Sequence, residues 1–433
     1  MRRKTDQGSH GRKLLAGTAV AGLCLFGYAA VHRLRVDSGS ARVVSIEAME
    51  DADGEACLRP PRESATENLF SSFETPVHAQ GANDVDLTRP AVREILDTAP
   101  IFSSVGVDNV RNEVYLQDSN LWSIRVYSRT ANAKPGEGPT EPRRIISGDN
   151  SEIQFNSCVW VDPGSGDIYS VENDTGDSIV VFPNDATGDP KPKRHLHVTH
   201  RAQSMALNPA SGELFLSVQY PPQVAIYSST ADKEEKPIRL IEGPKTNLSD
   251  VHGLALDTKN KLLYLNSWGN ISDYHVAGSG RFEDPSIEVF PESANGDVAP
   301  MHVIQGDKTQ LDWPGAMSID PGNGDLYVAN DVGQSILVFR KDDQGNVAPY
   351  RVIKGAKTHL SFPTGVFVDD KNKELWATNL GNSSATVYPL TATGDVTPLR
   401  IIRGADENKQ SLKFGKTQAL AYDSKRDEIL VPN

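Results

Sequence analysis

Residues 314–355 read PGAMSIDPGNGDLYVANDVGQSILVFRKDDQGNVAPYRVIKG. GAMSID is a short apolar run, the character of an inner strand buried on both faces. DPGNGD, Asp320 to Asp325, is a tight turn. There Asp binds its own backbone, Pro presets φ and Gly supplies a left-handed residue. LYVAN reads as a second strand and ILVF as a third. QGNVAP makes another turn, and YRVIKG reads as an outer strand. Four antiparallel strands of this length form one blade of a propeller.

The unit recurs along the chain. The residue closing each first strand marks the register: Asp108, Asp162, Asn208, Asp257, Asp320, Asp369 and Asp423. Six intervals cover 315 residues, a mean of 52.5. Second strands follow as EVYLQ, DIYSVEN, ELFLSV, LLYLNS, DLYVAN, ELWATN and EILVPN. Third strands occur six times, as SIRVY, SIVVF, QVAIY, SIEVF, SILVF and SATVY. Outer strands occur seven times, the first of them being the spare REILD of Arg93 to Asp97. A repeat of this period sets the domain count, whatever the length of the chain. The expectation is an all-β propeller of seven blades over residues 91–433. The spare strand at 93–97 would complete the last blade and so remove an exposed sheet edge. That blade would hold three strands unless the preceding segment supplies a fourth. Six blades with a degenerate remainder is the alternative.

This skeleton, G-x-x-x-D followed by LYVAN and I-x-VF, resembles NHL-type and YVTN-type β-propeller repeats. The resemblance runs from roughly residue 92 to the C-terminus. It implies the propeller fold and little about chemistry, because such families include protein-binding scaffolds, cell-surface proteins, lyases and lactonases.

Ahead of the repeat lies a different composition. Residues 1–13 carry Arg2, Arg3, Lys4, Arg12 and Lys13 against Asp6. Residues 14–31, LLAGTAVAGLCLFGYAAV, hold no charge. At 1.5 Å per residue that run reaches roughly 27 Å, enough for one helical crossing. The basic flank orients the rest of the chain away from the cytoplasm. The reading is a signal-anchor stopped by Arg33 and Arg35. The competing reading is a signal cleaved after Gly27-Tyr28-Ala29, which would release the propeller. Residues 32–90 are acidic, polar and without sustained periodicity, and read as a partly disordered tether. Within it, Asn68 to Phe73 is a candidate for docking on the propeller.

The net charge is −13, which argues against nucleic acid as a partner. Three cysteines, Cys24, Cys57 and Cys158, make no disulfide framework and no metal spacing. An oxidising compartment would allow a Cys57–Cys158 bridge; a buried thiol acting as a small hydrophobe is the plainer reading. The chain has no G-x-S-x-G elbow, no H-E-x-x-H and no phosphate loop. The sequence therefore leans towards a binding module over an enzyme.

Loops displayed by a rigid scaffold are where recognition usually resides. One face carries the more varied segments: Asp118 to Trp122, Glu172 to Asp177, Gln219 to Pro222, Asn266 to Asp284, Asn330 to Gln334 and Asn379 to Ser383. The fourth interval is 63 residues, and its excess lies in Asn266 to Asp284. Candidate binding residues on this face are Glu172, Asn173, Tyr220, Asn266, Trp268, Tyr274, His275, Arg281, Trp313, Asn330 and Asp331. The expected ligand is a protein or a small molecule.

No cofactor is called for. The recurring Asn266, Asn330, Asn379 and Asn433, with Glu172, Asn173 and Asp331 beside them, raise a Ca²⁺ ion in a central ring of oxygens. Against that, each Asn would cap its own turn as part of blade geometry. His195, His197 and His200 form a second candidate cluster, placed at the blade rim. His252 opens the fourth inner strand and is a conceivable general base in the channel. The alternative function is then a lactonase-like or lyase-like propeller enzyme. The Arg or His that recurs in the outer strands (Arg93, Arg144, Arg194, Arg239, His302, Arg351 and Arg400) reads as inter-blade packing and ion pairs.

Overall fold

A computed structural model describes residues 87–97, 102–133, 138–173, 175–271, 280–402 and 419–432. The residues form a β-propeller of six blades, five of them four-stranded and the sixth extended by Thr88–Arg89, which pairs parallel with its outer strand. Blade one shows the plan. Its strands are Phe102–Asp108, Glu113–Asp118, Ser123–Ser128 and Arg144–Ser147, paired antiparallel in sequence order. The inner strands of blades two to six are Asn156–Val161, Ala202–Asn208, Val251–Asp257, Pro314–Ile319 and Pro363–Asp369. The seventh unit of the sequence contributes a two-stranded sheet, Ala421–Asp423 with Glu428–Leu430. Arg93–Asp97, expected as an outer strand, is described but joins no ladder. The charged flank, the apolar run at 14–31 and the tether up to residue 86 lie outside the described residues. No helix among the described residues is long and apolar enough to cross a membrane.

The turns obey the local chemistry read from the sequence. Asp320 accepts the N–H of Gly322 at 2.8 Å, and Asp108, Asp162, Asn208, Asp257, Asp369 and Asp423 serve their own turns alike. The core lies between blades. Val126, Ile146, Val159 and Val180 interdigitate between blades one and two, and a comparable apolar cluster fills each later junction.

The most buried strands differ from expectation. Second and third strands, such as Leu326–Asn330 and Ser335–Phe339, are buried at every position. The inner strand Pro314–Ile319 is only half-buried beyond Pro314. Second and third strands are flanked by neighbouring blades on both faces, whereas inner strands border the central channel.

Candidate functional site

The inner strand of each of the six blades carries an irregularity at the same place. Its first residue pairs with the last residue of the second strand, and then the register slips. The residues left in the slip are Ser103, Ser157, Gln203, His252, Gly315 and Thr364. A bulge re-aims the side chain it frees, and bulges are common beside functional sites. Among the described residues, His252 is the imidazole in this series.

Around His252 three blades converge. The Trp268 ring stacks on the imidazole with centroids 3.3 Å apart and planes 6° apart. Trp313, from the loop entering blade five, stacks on the far side of Trp268 at 4.5 Å and 21°. Trp268 Nε1 donates to the Pro314 carbonyl at 2.8 Å, which fixes its ring across the junction of blades four and five. His252 Nε2 lies 3.1 Å from Asp250 Oδ1 and 2.7 Å from the Gln219 side-chain amide. Tyr220, next to Gln219, accepts a hydrogen bond from Asn270 through its hydroxyl. The result is a three-ring ledge. Its outermost member, Trp313, is 43% exposed.

Beside the ledge stands a carboxylate in an unusual setting. Asp331 N–H donates to the Trp313 carbonyl at 3.1 Å. Its Oδ1 is buried without a hydrogen-bond partner. Burial, and then the neighbouring charge of Asp312, push its carboxyl up to about 6. Stacked aromatic faces with acidic groups at their margin suit a ligand that has a flat C–H-rich or cationic face and hydrogen-bond donors.

The structure sorts the expected site residues into two groups. Trp268, Trp313, Asp331 and Tyr220 belong to the ledge or its margin. Glu172, Asn173, Asn266 and Asn330 are buried and bound within the blades. Glu172 accepts the Gln154 N–H and the Ser170 hydroxyl, each at 2.6 Å, and burial pushes its carboxyl up to about 7. Asn173 donates to the Ala202 carbonyl at 2.6 Å and to Gln203 Oε1 at 2.9 Å. Asn330 accepts the Asp312 N–H at 2.7 Å and donates to Gln310 O and Ser335 Oγ. Asn266 accepts the Gly253 N–H at 2.7 Å. A Cβ at Gly253 would collide with that amide, so glycine is needed there. Arg281 is exposed and pairs with Glu283 at 3.0 Å. Tyr274 and His275 lie outside the described residues. The insertion around them is framed by a short ribbon, Asn270–Ile271 paired with Arg281–Phe282.

The recurring Asn residues do more than cap their own turns. Asn330 and Asn379 bridge those turns to Ser335 and Ser384. Each accepts an N–H from the loop entering its blade, 18 residues earlier, and Glu172 and Ser267 do the same in blades two and four. The position ties the inner strand's entry to the second strand's exit.

The rim histidines are each drawn to a different acid. His195 meets Glu152, His197 meets Glu234 at 3.4 Å and His200 meets Asp177 at 2.8 Å. Among the described residues, no group of three or more His, Cys, Asp or Glu is arranged to hold a metal. Cys158 packs against the core between blades two and three, and its thiol is pushed up by burial.

Asp250, Gln219 and Asp312 were not singled out from the sequence. A readable signal existed for two of them. Asp250 stands immediately before the inner strand of blade four and Asp312 two residues before that of blade five, beside the long fourth interval.

The chain is a β-propeller that carries the stacked rings of His252, Trp268 and Trp313. Its sequence matches no protein-family model, and no curated protein matches it.

Proposed function

We propose that the chain is an extracytoplasmic, membrane-anchored propeller of the NHL/YVTN type. In this reading it binds a protein or small-molecule ligand on the ledge formed by His252, Trp268 and Trp313. The observation that carries this is the exposed Trp313 held on a pre-stacked Trp268–His252 pair. Rigid aromatic area presented at low entropic cost is what binding hot spots are made of. The apolar run at 14–31 supports the anchor, and the basic flank supports the orientation.

A seven-bladed closure belongs to the same reading. Arg93 pairs with Glu428 as Arg144 pairs with Glu113 and Arg400 with Glu374. That contact recurs between the outer strand and the second strand of one blade, so it supports residues 93–97 as the outer segment of the seventh.

A second reading is a channel enzyme. The Asp250–His252–Gln219 contacts at a channel bulge favour it, since a carboxylate that orients an imidazole is a recurring acid–base arrangement.

The test uses the full chain in detergent as bait against its native envelope, with Trp313→Ala and His252→Ala as comparisons. The expected result is capture lost at least tenfold in Trp313→Ala with an unchanged Tm. Capture that survives both substitutions would sink the ledge as the binding site. Turnover of a lactone panel abolished by His252→Ala and retained by Trp313→Ala would favour the enzyme.

A further inference from the structure

Carboxylates within the blades are commonly matched to arginine. Glu113 meets Arg144 at 2.7 Å, Glu213 meets Arg239 at 2.8 Å and Glu374 meets Arg400 at 2.7 Å. Asp331 and Asp312 depart from this pattern. Among the described residues, neither carboxylate meets a Lys, Arg or His, and neither accepts a hydrogen bond. Both are half-buried, and both flank the exposed indole of Trp313. Asp312 is its chain neighbour, and Asp331 donates its N–H to the Trp313 carbonyl at 3.1 Å. The loop that carries them is held in place, since Asn330 accepts the Asp312 N–H and Gly333 N–H donates to the Asp312 carbonyl. Burial first, and then the charge of Asp312, weigh against the ionised form of Asp331. A cation brought to this corner removes the cost of leaving charge uncompensated there.

One face of the Trp313 ring lies on Trp268. Among the described residues, no ring and no cation lies on the other. An open indole face bordered by two uncompensated carboxylates selects a flat cation that has N–H donors. A guanidinium is planar, always charged and weakly hydrated, and it both stacks on aromatic faces and forks onto carboxylates. A lysine ammonium is charged but not flat, a quaternary ammonium has no N–H to donate, and a sugar leaves the acids uncompensated. We propose that the outer face of Trp313, with Asp331 and Asp312, receives an arginine side chain presented by a protein partner. This deepens the ledge reading and rests on it.

The molecule builds the same combination within a blade of its own. In blade six the Arg400 guanidinium lies 5.0 Å over the Trp376 ring, and its two terminal nitrogens donate to the Glu374 carboxylate at 2.7 Å each. At Trp313 the indole and the carboxylates are present and the arginine is not. The partner is a protein because the face is open. Small ligands are held where most of their surface can be enclosed. Here Trp313 is 43% exposed, and Val332, next to Asp331, is 41% exposed and extends the apolar area. Such a surface suits one side chain projecting from a larger body. The net charge of −13 steers a basic partner towards it.

The experiment is isothermal titration calorimetry on the full chain in detergent at pH 8, where Asp331 is ionised. The probes are N-acetyl-glycyl-arginyl-glycinamide and the same peptide with citrulline or lysine in place of arginine. Citrulline keeps the flat face and loses the charge. The expected result is saturable binding of the arginine peptide, roughly tenfold weaker binding of citrulline and a few-fold weaker binding of lysine. Asp331→Asn should weaken the arginine peptide roughly fivefold at unchanged Tm and leave the citrulline peptide as it was. If Asp331→Asn lowers Tm, Asp312→Asn carries the same comparison. Equal affinity for arginine and citrulline overturns the proposal, as does an arginine affinity that neither Asp substitution changes. The protein source is tested on the envelope bait: the arginine peptide should release what the wild-type chain captures, and the citrulline peptide should not. Free arginine amide that binds as tightly as the peptide, with no protein captured, overturns the protein partner in favour of a small guanidinium compound. Capture that depends on Trp313 yet resists the arginine peptide sinks the arginine assignment and leaves the ledge reading standing. Capture indifferent to Trp313→Ala and His252→Ala sinks the ledge itself.

Discussion

Asn330 and Trp313 meet at the same loop of blade five, and the chain uses them in opposite ways. Asn330 is fully engaged: three hydrogen bonds tie its amide to the entry loop and the third strand. Asn379 repeats the arrangement in blade six. Trp313 has aromatic counterparts in Phe155, 45% exposed ahead of blade two, and in Phe362 ahead of blade six, but among the described residues it is the one stacked on a Trp–His pair. The residues just before the neighbouring inner strands are Arg201, Asp250 and Phe362, all sharing its left-handed backbone. The conformation is common to the blades and the side chain is not. A residue dictated by the repeat is satisfied internally, whereas one that the repeat merely permits is left to face outward. The first kind should be read out in stability and the second in recognition.

The largest stability effect is expected where a recurring group is removed. Asn330→Ala leaves the Asp312 N–H and the Gln310 carbonyl without their partner. A buried polar group stripped of its partner costs about 1–3 kcal/mol, and here more than one is affected. Urea unfolding should show a loss of about 2–3 kcal/mol. A loss below about 0.5 kcal/mol would mean that the loop is open to water and the recurring position is not structural.

Glu288 gives a smaller effect of opposite sign. It is buried in the third strand of blade four, where Ser286, Ser267 and Asn247 donate to it. Burial pushes its carboxyl up to about 7. The native state therefore holds a proton that the unfolded chain has already released. Stability from this group is full below the ordinary glutamate range, falls as pH climbs towards 7 and stays low above it. Glu288→Gln mimics the protonated form. It should gain on the order of 2 kcal/mol over wild type at pH 8 and nothing at pH 4. An equal difference at both pH values would show that the carboxylate is not the cause.

The repeat was legible because it is written in nearest-neighbour chemistry. Asp320 serves a turn two residues away, and strand residues pair with the next strand along. Two things were not legible. The stack of His252, Trp268 and Trp313 needs a register slip after Val251 and a loop from the next blade, and no spacing rule contains either. The Asn residues were legible as structural but not in their role, since their partners lie 18 residues upstream. Arg93 to Asp97 was read as an outer strand, and it joins no ladder although Arg93 meets Glu428. Strand identity depends on a neighbour, and among the described residues that neighbour is missing.

The finest test separates the two uses of polarity at one residue. Asp331 follows the second strand of blade five, at the register where Asn173 is internally bonded in blade two. Its Oδ1 is buried without a partner, and its carboxyl is pushed up to about 6 by burial and by Asp312. If the site takes a cationic or donor-bearing ligand, the charged form is the one that binds. Capture by the wild type should then weaken a few-fold as pH falls from 7 to 5, because protonation cancels the attraction. Asp331→Asn keeps the shape and loses the titration, so its capture should sit at the low level and stay flat across that range. Binding measured by tryptophan fluorescence at each pH gives the comparison directly. A variant that keeps the wild-type pH slope would move Asp331 out of the recognition group and into the structural one, leaving the ledge to act through its aromatic faces alone.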